Sequence, residues 1–280
     1  MPAALSALGA EVRQQDHDRY LTLVFAPETA REPLFALLAF NQELARIAER
    51  VSEPLLGEMR FTWWRDAVEA AAGGGPLPEH PVVDALAPLV SAGRLPPKDL
   101  LDLIEARRRD LDPEPFLSLP DLKRYAEETS GLPNRLVARL CGLEGTSLGA
   151  AEDLGTAWGL LGHLRAFQAL RRRGRVWLPE ALLEEAGLTR RDLMETVRPE
   201  GLVQVAHSIA GAAGRCLERA RAAQARLPKG KASPFLLGTL TRLYLDRLAR
   251  CGGDPGDPRF RQLLPQRIFR LSWAMLRRRW

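Results

Sequence analysis

Four arginines crowd one short segment of this chain, Arg171, Arg172, Arg173 and Arg175, just before Val176-Trp-Leu-Pro179. Guanidinium groups at that density suit direct capture of an anion, because each presents a fork of donors matched to phosphate or carboxylate. From Leu154 through Pro179 there is no Asp or Glu. Other chemistry is poorly represented. His17, His80, His163 and His207 are scattered, with no pair at metal-ligand spacing. His163 lies in an apolar stretch and reads as a hydrogen-bonded core residue rather than a base. No Gly-x-Ser-x-Gly elbow, phosphate-binding loop or dinucleotide fingerprint occurs.

The element that must carry the arginines is apolar nearly all round from Leu154 to Phe167, the pattern of a helix buried in a large core. Gly155, Gly159 and Gly162 fall on or near one side of it. A mid-helix glycine costs about 1 kcal/mol relative to alanine, so three of them imply a close neighbour, either a helix or a ligand. A second core helix is predicted within Arg31 to Glu53, where Phe35, Leu38, Ala39, Gln42 and Ala45 share a side. Apolar residues recur at three- and four-residue steps almost throughout, and strand-like alternation is scarce. The fold class is therefore all-α, about ten helices in a single domain spanning 1–280. Breaks are expected at Gly73–Pro78, Leu95–Pro97, Asp112–Pro115, Leu227–Gly230 and Gly252–Pro258. Asp99 is placed at the front of a helix running to Leu111. Thr189 with Asp192 forms a near capping box, and Ser233-Pro234 starts another helix.

A net charge of +5 and a pI near 9.5 admit an anionic partner such as phosphate, a membrane surface or nucleic acid, or simply Arg-rich solvated faces. Nucleic acid is disfavoured, because the arginines are dispersed and no recognised binding motif is present. Cys141, Cys216 and Cys251, odd in number and far apart, point to a reducing compartment. No apolar run approaches the roughly 18 residues of a membrane span, and no signal peptide is read. The expected location is cytoplasmic, peripheral to the inner membrane at most. The C-terminal stretch from Arg267 is a basic amphipathic helix. Its first half is expected to pack onto the bundle, leaving Arg277, Arg278, Arg279 and Trp280 for a membrane surface.

The buried helix running into Gly174-Arg-Val-Trp-Leu-Pro179 resembles the second signature of the squalene/phytoene synthase family. The segment from Arg31 to Glu53, with Ala39-Phe40 at its centre, resembles the first. Met59 to Val68, Arg107 to Asp112 and Tyr125 to Gly131 are similar to further family segments, in the right order, so the likeness covers roughly Tyr20 to Pro179. It implies an isoprenoid-synthase-type helical bundle around a central cavity. In active members, acidic clusters on two facing helices hold Mg²⁺ against a prenyl diphosphate. The first cluster falls here on Ala45, Arg46 and Glu49. The second motif (Gln, Asn and two Asp) falls on Gly159, Gly162, Ala166 and Leu170. Mg²⁺ needs hard oxygen ligands, and these residues offer only Glu49.

The likeness extends to a branch lacking the acids that includes a mitochondrial assembly factor for respiratory complex I, carried by Ala39 to Ala45 and Gly155 to Ala166. It implies no catalytic residue, no cofactor, and a respiratory-complex subunit or a lipid or prenyl/phosphate ligand as partner. On the family's layout Asn41, Ala45, Arg46, Glu49, Gly159 and Gly162 line the pocket. So do Arg165 and Ala166, with Arg175 at its mouth. Arg46, Arg165 and Arg175 either grip an anionic headgroup or pair with nearby acids. The alternative is an active prenyltransferase using Mg²⁺ and a shifted set of acids, Glu43, Glu49 and Asp153.

Overall fold

Proline and glycine stop the helices at the five expected breaks. The chain is described by a computed structural model over residues 5–196, 198–224, 227–262 and 265–280. Helix α1 (Ala7–Gln15) is capped by Ser6, and α2 (His17–Leu23) by Asp16. Then come α3 (Glu28–Arg50), α4 (Pro54–Gly73), α5 (Pro81–Ser91) and α6 (Pro97–Arg108), which runs into a 3-10 turn at Arg109–Leu111. Helix α7 (Leu119–Ala126) passes through a π turn, Glu127–Gly131, into α8 (Leu132–Leu140). The long α9 (Thr146–Arg172) precedes α10 (Glu180–Glu185) and α11 (Arg190–Glu195). The rest is α12 (Leu202–Ala223), α13 (Ser233–Arg250), α14 (Pro258–Arg261) and α15 (Arg267–Arg277). Fifteen helices among the described residues exceed the ten expected, because segments of one or two turns carry too few residues to show a period.

The helix-start expectations fare unequally. Thr189 and Asp192 make the full reciprocal capping box. Helix α6 begins at Pro97, two residues ahead of Asp99. Ser233 does not cap α13: Ala232 holds that place, and the Ser233 hydroxyl is buried without a hydrogen-bond partner.

Two apolar clusters form the core of this single domain. One gathers α9, α12 and α13 around Leu154, Leu161, Ile209, Phe235 and Tyr244. The other gathers α3 to α6 around Leu34, Phe40, Phe61, Leu86 and Leu100. Helix α8 contributes to both, through Ala138 to the first and Leu136 to the second.

The C-terminal helix meets its expectation in part: the first half packs onto the bundle and Arg277 to Arg279 are exposed, but Ile268 and Phe269 face out and Trp280 is buried. Arg267 is buried and ion-pairs with Asp18 of α2, which fixes the rotation of α15. Leu271 and Ala274 then point inward while Ile268 and Phe269 face out. Trp280 is not a surface residue. It packs against Gly238, donates its indole N–H to the Gln224 carbonyl at 2.9 Å, and lies under Arg221. Arg278 caps the helix in the left-handed conformation (φ 50°) and reaches the Leu227 carbonyl.

Candidate functional site: an arginine-lined cavity between two long helices

Helices α3 and α9 belong to different apolar clusters, and the seam between them stays open. Two hollows of about 390 and 350 Å³ lie along it. They share Ala45, Glu49, Arg107, Tyr125, Gly162 and His163 as lining, so they adjoin and are treated together as the cavity. Asn41, Arg46 and Gly159 line the smaller hollow; Ala166, Leu170, Arg173 and Arg175 line the larger. The glycines divide by role. A Cβ on Gly155 would meet the Ser130 carbonyl oxygen at 2.3 Å, and one on Gly159 would meet the Ser130 Cβ at 2.9 Å. A Cβ on Gly162 would meet nothing within 4 Å.

Arg107 organises the wall, a role that the sequence reading did not give it. One of its terminal nitrogens donates to Asp110 at 3.3 Å and to the Tyr125 hydroxyl at 3.1 Å. The other donates to Asn41 and to the Thr129 carbonyl, both at 3.3 Å. Tyr125 in turn donates to Asp110. Burial opposes the charge on Arg107, but Tyr125 and Asp110 outweigh it and hold the guanidinium above its ordinary pKa. Burial raises the Tyr125 hydroxyl and keeps it protonated. Arg175 donates to the Asp110 backbone carbonyl at 2.7 Å and lies over Trp177.

Every carboxylate in the lining is already engaged. Glu49 pairs with Arg173, Asp110 with Arg107, and Asp16 with Arg19. Arg46 pairs with Glu11 at 3.3 Å and Glu43 at 3.6 Å. Arg175 alone among the lining arginines has no carboxylate within 4.0 Å among the described residues. Four shielded polar atoms of lining residues have no hydrogen-bond partner among the described residues, Gln42 Oε1, Arg107 Nε, His163 Nε2 and Trp177 Nε1, and Arg19 Nε has only its ion pair with Asp16 at 3.6 Å.

Arg165 leaves the expected set. It ion-pairs with Asp18 at 3.3 Å and lies 4.0 Å from the Tyr244 ring centroid, drawn toward α2 and α13 rather than into the cavity. The shifted acids do not converge either. Glu43 is held by Arg46 and Arg50, and Asp153 by Arg219 on α12.

His163 lines both hollows, more than the buried core role expected of it. Its Nδ1 lies 3.4 Å from the Gly159 carbonyl, which makes Nδ1 the donor and leaves Nε2 an acceptor. The ring stacks on Trp177 and meets Tyr125 edge-on. Burial pushes its pKa down to about 4, against an ordinary value near 6.5. Between those values the unfolded chain binds the extra proton, so stability is full above about pH 6.5 and falls toward pH 4. Denaturant unfolding of the wild type and His163→Gln across this range should show the wild type losing about 3 kcal/mol more than the variant. Parallel curves would mean that the ring protonates without penalty.

Against this geometry the family model for squalene/phytoene synthase matches residues 12–273. The chain belongs to the squalene/phytoene synthase family. It is 30% identical over 266 residues to the NADH dehydrogenase (ubiquinone) complex I assembly factor 6 of Rattus norvegicus, covering 94% of this chain and 80% of that one. It is 28% identical over 261 residues to the phytoene synthase of Thermus thermophilus, covering 91% and 88%. A crystal structure of a ligand-bound dehydrosqualene synthase superimposes with a TM-score of 0.81 at 16% identity, covering 96% and 94%, which establishes the shared fold.

The metal implied by active squalene/phytoene synthases does not fit the residues present. On the layout that the resemblance implies, the acid positions fall on Ala45, Arg46, Glu49, Ala166 and Leu170, and Glu49 is bound by Arg173. Among the described residues no group of three or more His, Cys, Asp or Glu is placed to hold an ion. Mg²⁺ takes one or two carboxylates plus substrate phosphate and water, and each carboxylate here would first have to leave a guanidinium.

Proposed function

We propose that this chain is a non-catalytic member of its family that holds an anionic ligand directly on guanidinium groups, without a divalent metal. The observation that carries this reading is the state of the lining charges: Arg175 stands at the cavity with no carboxylate within 4.0 Å among the described residues, and of the acid positions that the resemblance implies only Glu49 keeps a carboxylate, which Arg173 holds. A charge-assisted bond to an arginine contributes about 1.5–3 kcal/mol. The shared ligand chemistry is a phosphate ester, from a phospholipid headgroup or a free diphosphate. The resemblance to the complex I assembly factor supports a role in assembling a respiratory NADH dehydrogenase.

Calorimetric titration in EDTA with inorganic pyrophosphate, and separately with short-chain phosphatidylglycerol, tests the ligand and distinguishes its sources. Binding in EDTA that weakens roughly 10-fold or more in Arg175→Ala supports the reading. Binding only with Mg²⁺, or diphosphate release from farnesyl diphosphate at enzymatic rates, overturns it. For the cellular role, deleting the gene should lower the amount of assembled NADH dehydrogenase, and unchanged levels would remove that part.

A further inference from the structure

We propose that α15 is an interfacial helix that docks the protein onto an anionic lipid surface through Ile268, Phe269, Trp273 and Leu276. These side chains are 60%, 66%, 41% and 76% exposed. With Ser272 they fall on one arc of the helix, at spacings of one, four, five and eight residues from Ile268.

The arc cannot turn inward. The opposite side of α15 is held by Arg267 on buried Asp18, by Leu271 and Ala274 in the core, and by Trp280 against Gly238. By helical spacing Arg270 and Arg277 lie along the edge beyond Trp273, and the Arg277 guanidinium sits 4.4 Å from the Trp273 ring centroid. Phe269 and Trp273 stack at 6.2 Å. Apolar side chains at the centre, an aromatic pair beside them and arginines at the edge match the layers of a lipid interface.

Charge selects the occupant. From Pro258 to Trp280 there are seven arginines and no acid. Arg261, Arg270, Arg277 and Arg279 are exposed there. The complement must therefore accept apolar side chains within a negatively charged rim, as anionic phospholipid does. No described helix is long and apolar enough to cross a membrane, so any contact made by α15 lies along the surface. A second copy is the competing occupant, because an acidic groove lined by Asp102, Glu105, Asp112, Glu114 and Asp121 exists elsewhere on the chain.

Flotation of the full chain with vesicles of phosphatidylcholine alone, and with about 30% phosphatidylglycerol added, tests the proposal. The expected result is binding to the anionic vesicles only, lost at high salt. Arg270→Gln with Arg277→Gln should weaken partitioning roughly 10- to 30-fold, and Phe269→Ser with Leu276→Ser by at least as much. Both variants should keep the wild-type Tm, since the residues are exposed. Leu55→Ser with Met59→Ser, on the exposed face of α4, should float like wild type. Three outcomes would overturn the idea: no preference for anionic vesicles, unchanged flotation of the α15 variants, or a wild-type dimer that Phe269→Ser with Leu276→Ser dissociates.

Discussion

Asp18→Asn is expected to destabilise the protein by about 3–5 kcal/mol, the usual cost of stranding buried charge, and to lower Tm by roughly 5–10 °C. Asp18 is 4% exposed and collects Arg165 from α9, Tyr244 from α13 and Arg267 from α15. The amide would keep the shape and lose the charge that faces both Arg267, itself 7% exposed, and Arg165. Denaturant unfolding followed by circular dichroism reads the loss. The double variant Asp18→Asn with Arg267→Met should recover part of it, because removing both charges also removes the desolvation problem. A single variant within 1 kcal/mol of wild type would mean that water reaches the cluster and that α15 is held by its apolar contacts alone.

Gly155→Ala and Gly162→Ala should move stability in opposite directions although both exchange the same atoms on one helix. At Gly155 the new methyl meets the Ser130 carbonyl at 2.3 Å, the Asn134 Cβ at 2.7 Å and the Gly131 Cα at 2.8 Å. Two of those three are backbone, so α9 would have to separate from the π turn, at a cost of about 3 kcal/mol. At Gly162 the methyl enters open cavity and the helix gains up to about 1 kcal/mol. Thermal melts of the two variants decide this. Equal shifts would mean that the α9 contact with the π turn is loose.

The fold was legible because its signals are local. The apolar stretch from Leu154 to Phe167, the capping box at Thr189 and the Gly/Pro breaks each act within a few residues of chain. The three glycines announced a close neighbour but not which kind, and only the packing separates Gly155, against backbone, from Gly162, against open space. Arg165 was misplaced for a related reason. It is one residue from Ala166, which lines the cavity, and about 100° round the helix, so its direction depends on Asp18, 147 positions away in sequence. Arg107 went unnoticed because its partners Asn41, Tyr125 and Thr129 come from three separate segments. Trp280 looked exposed by composition, and the hole that receives it is made by Gly238.

The π turn at Glu127–Gly131 makes one stretch of the chain sensitive to length as well as to residue type. It places the Thr129 carbonyl against Arg107 and the Ser130 hydroxyl against Arg19, and it joins α7 and α8 with an extra residue in the winding. Deleting any one residue there would restore regular winding with α7 and α8 nearly in phase, and would remove the wide turn that directs the Thr129 carbonyl at Arg107. Across related sequences, drift at the exposed Glu128 should be tolerated more readily than a side chain at Gly131 or a change in the spacing between Tyr125 and Asn134.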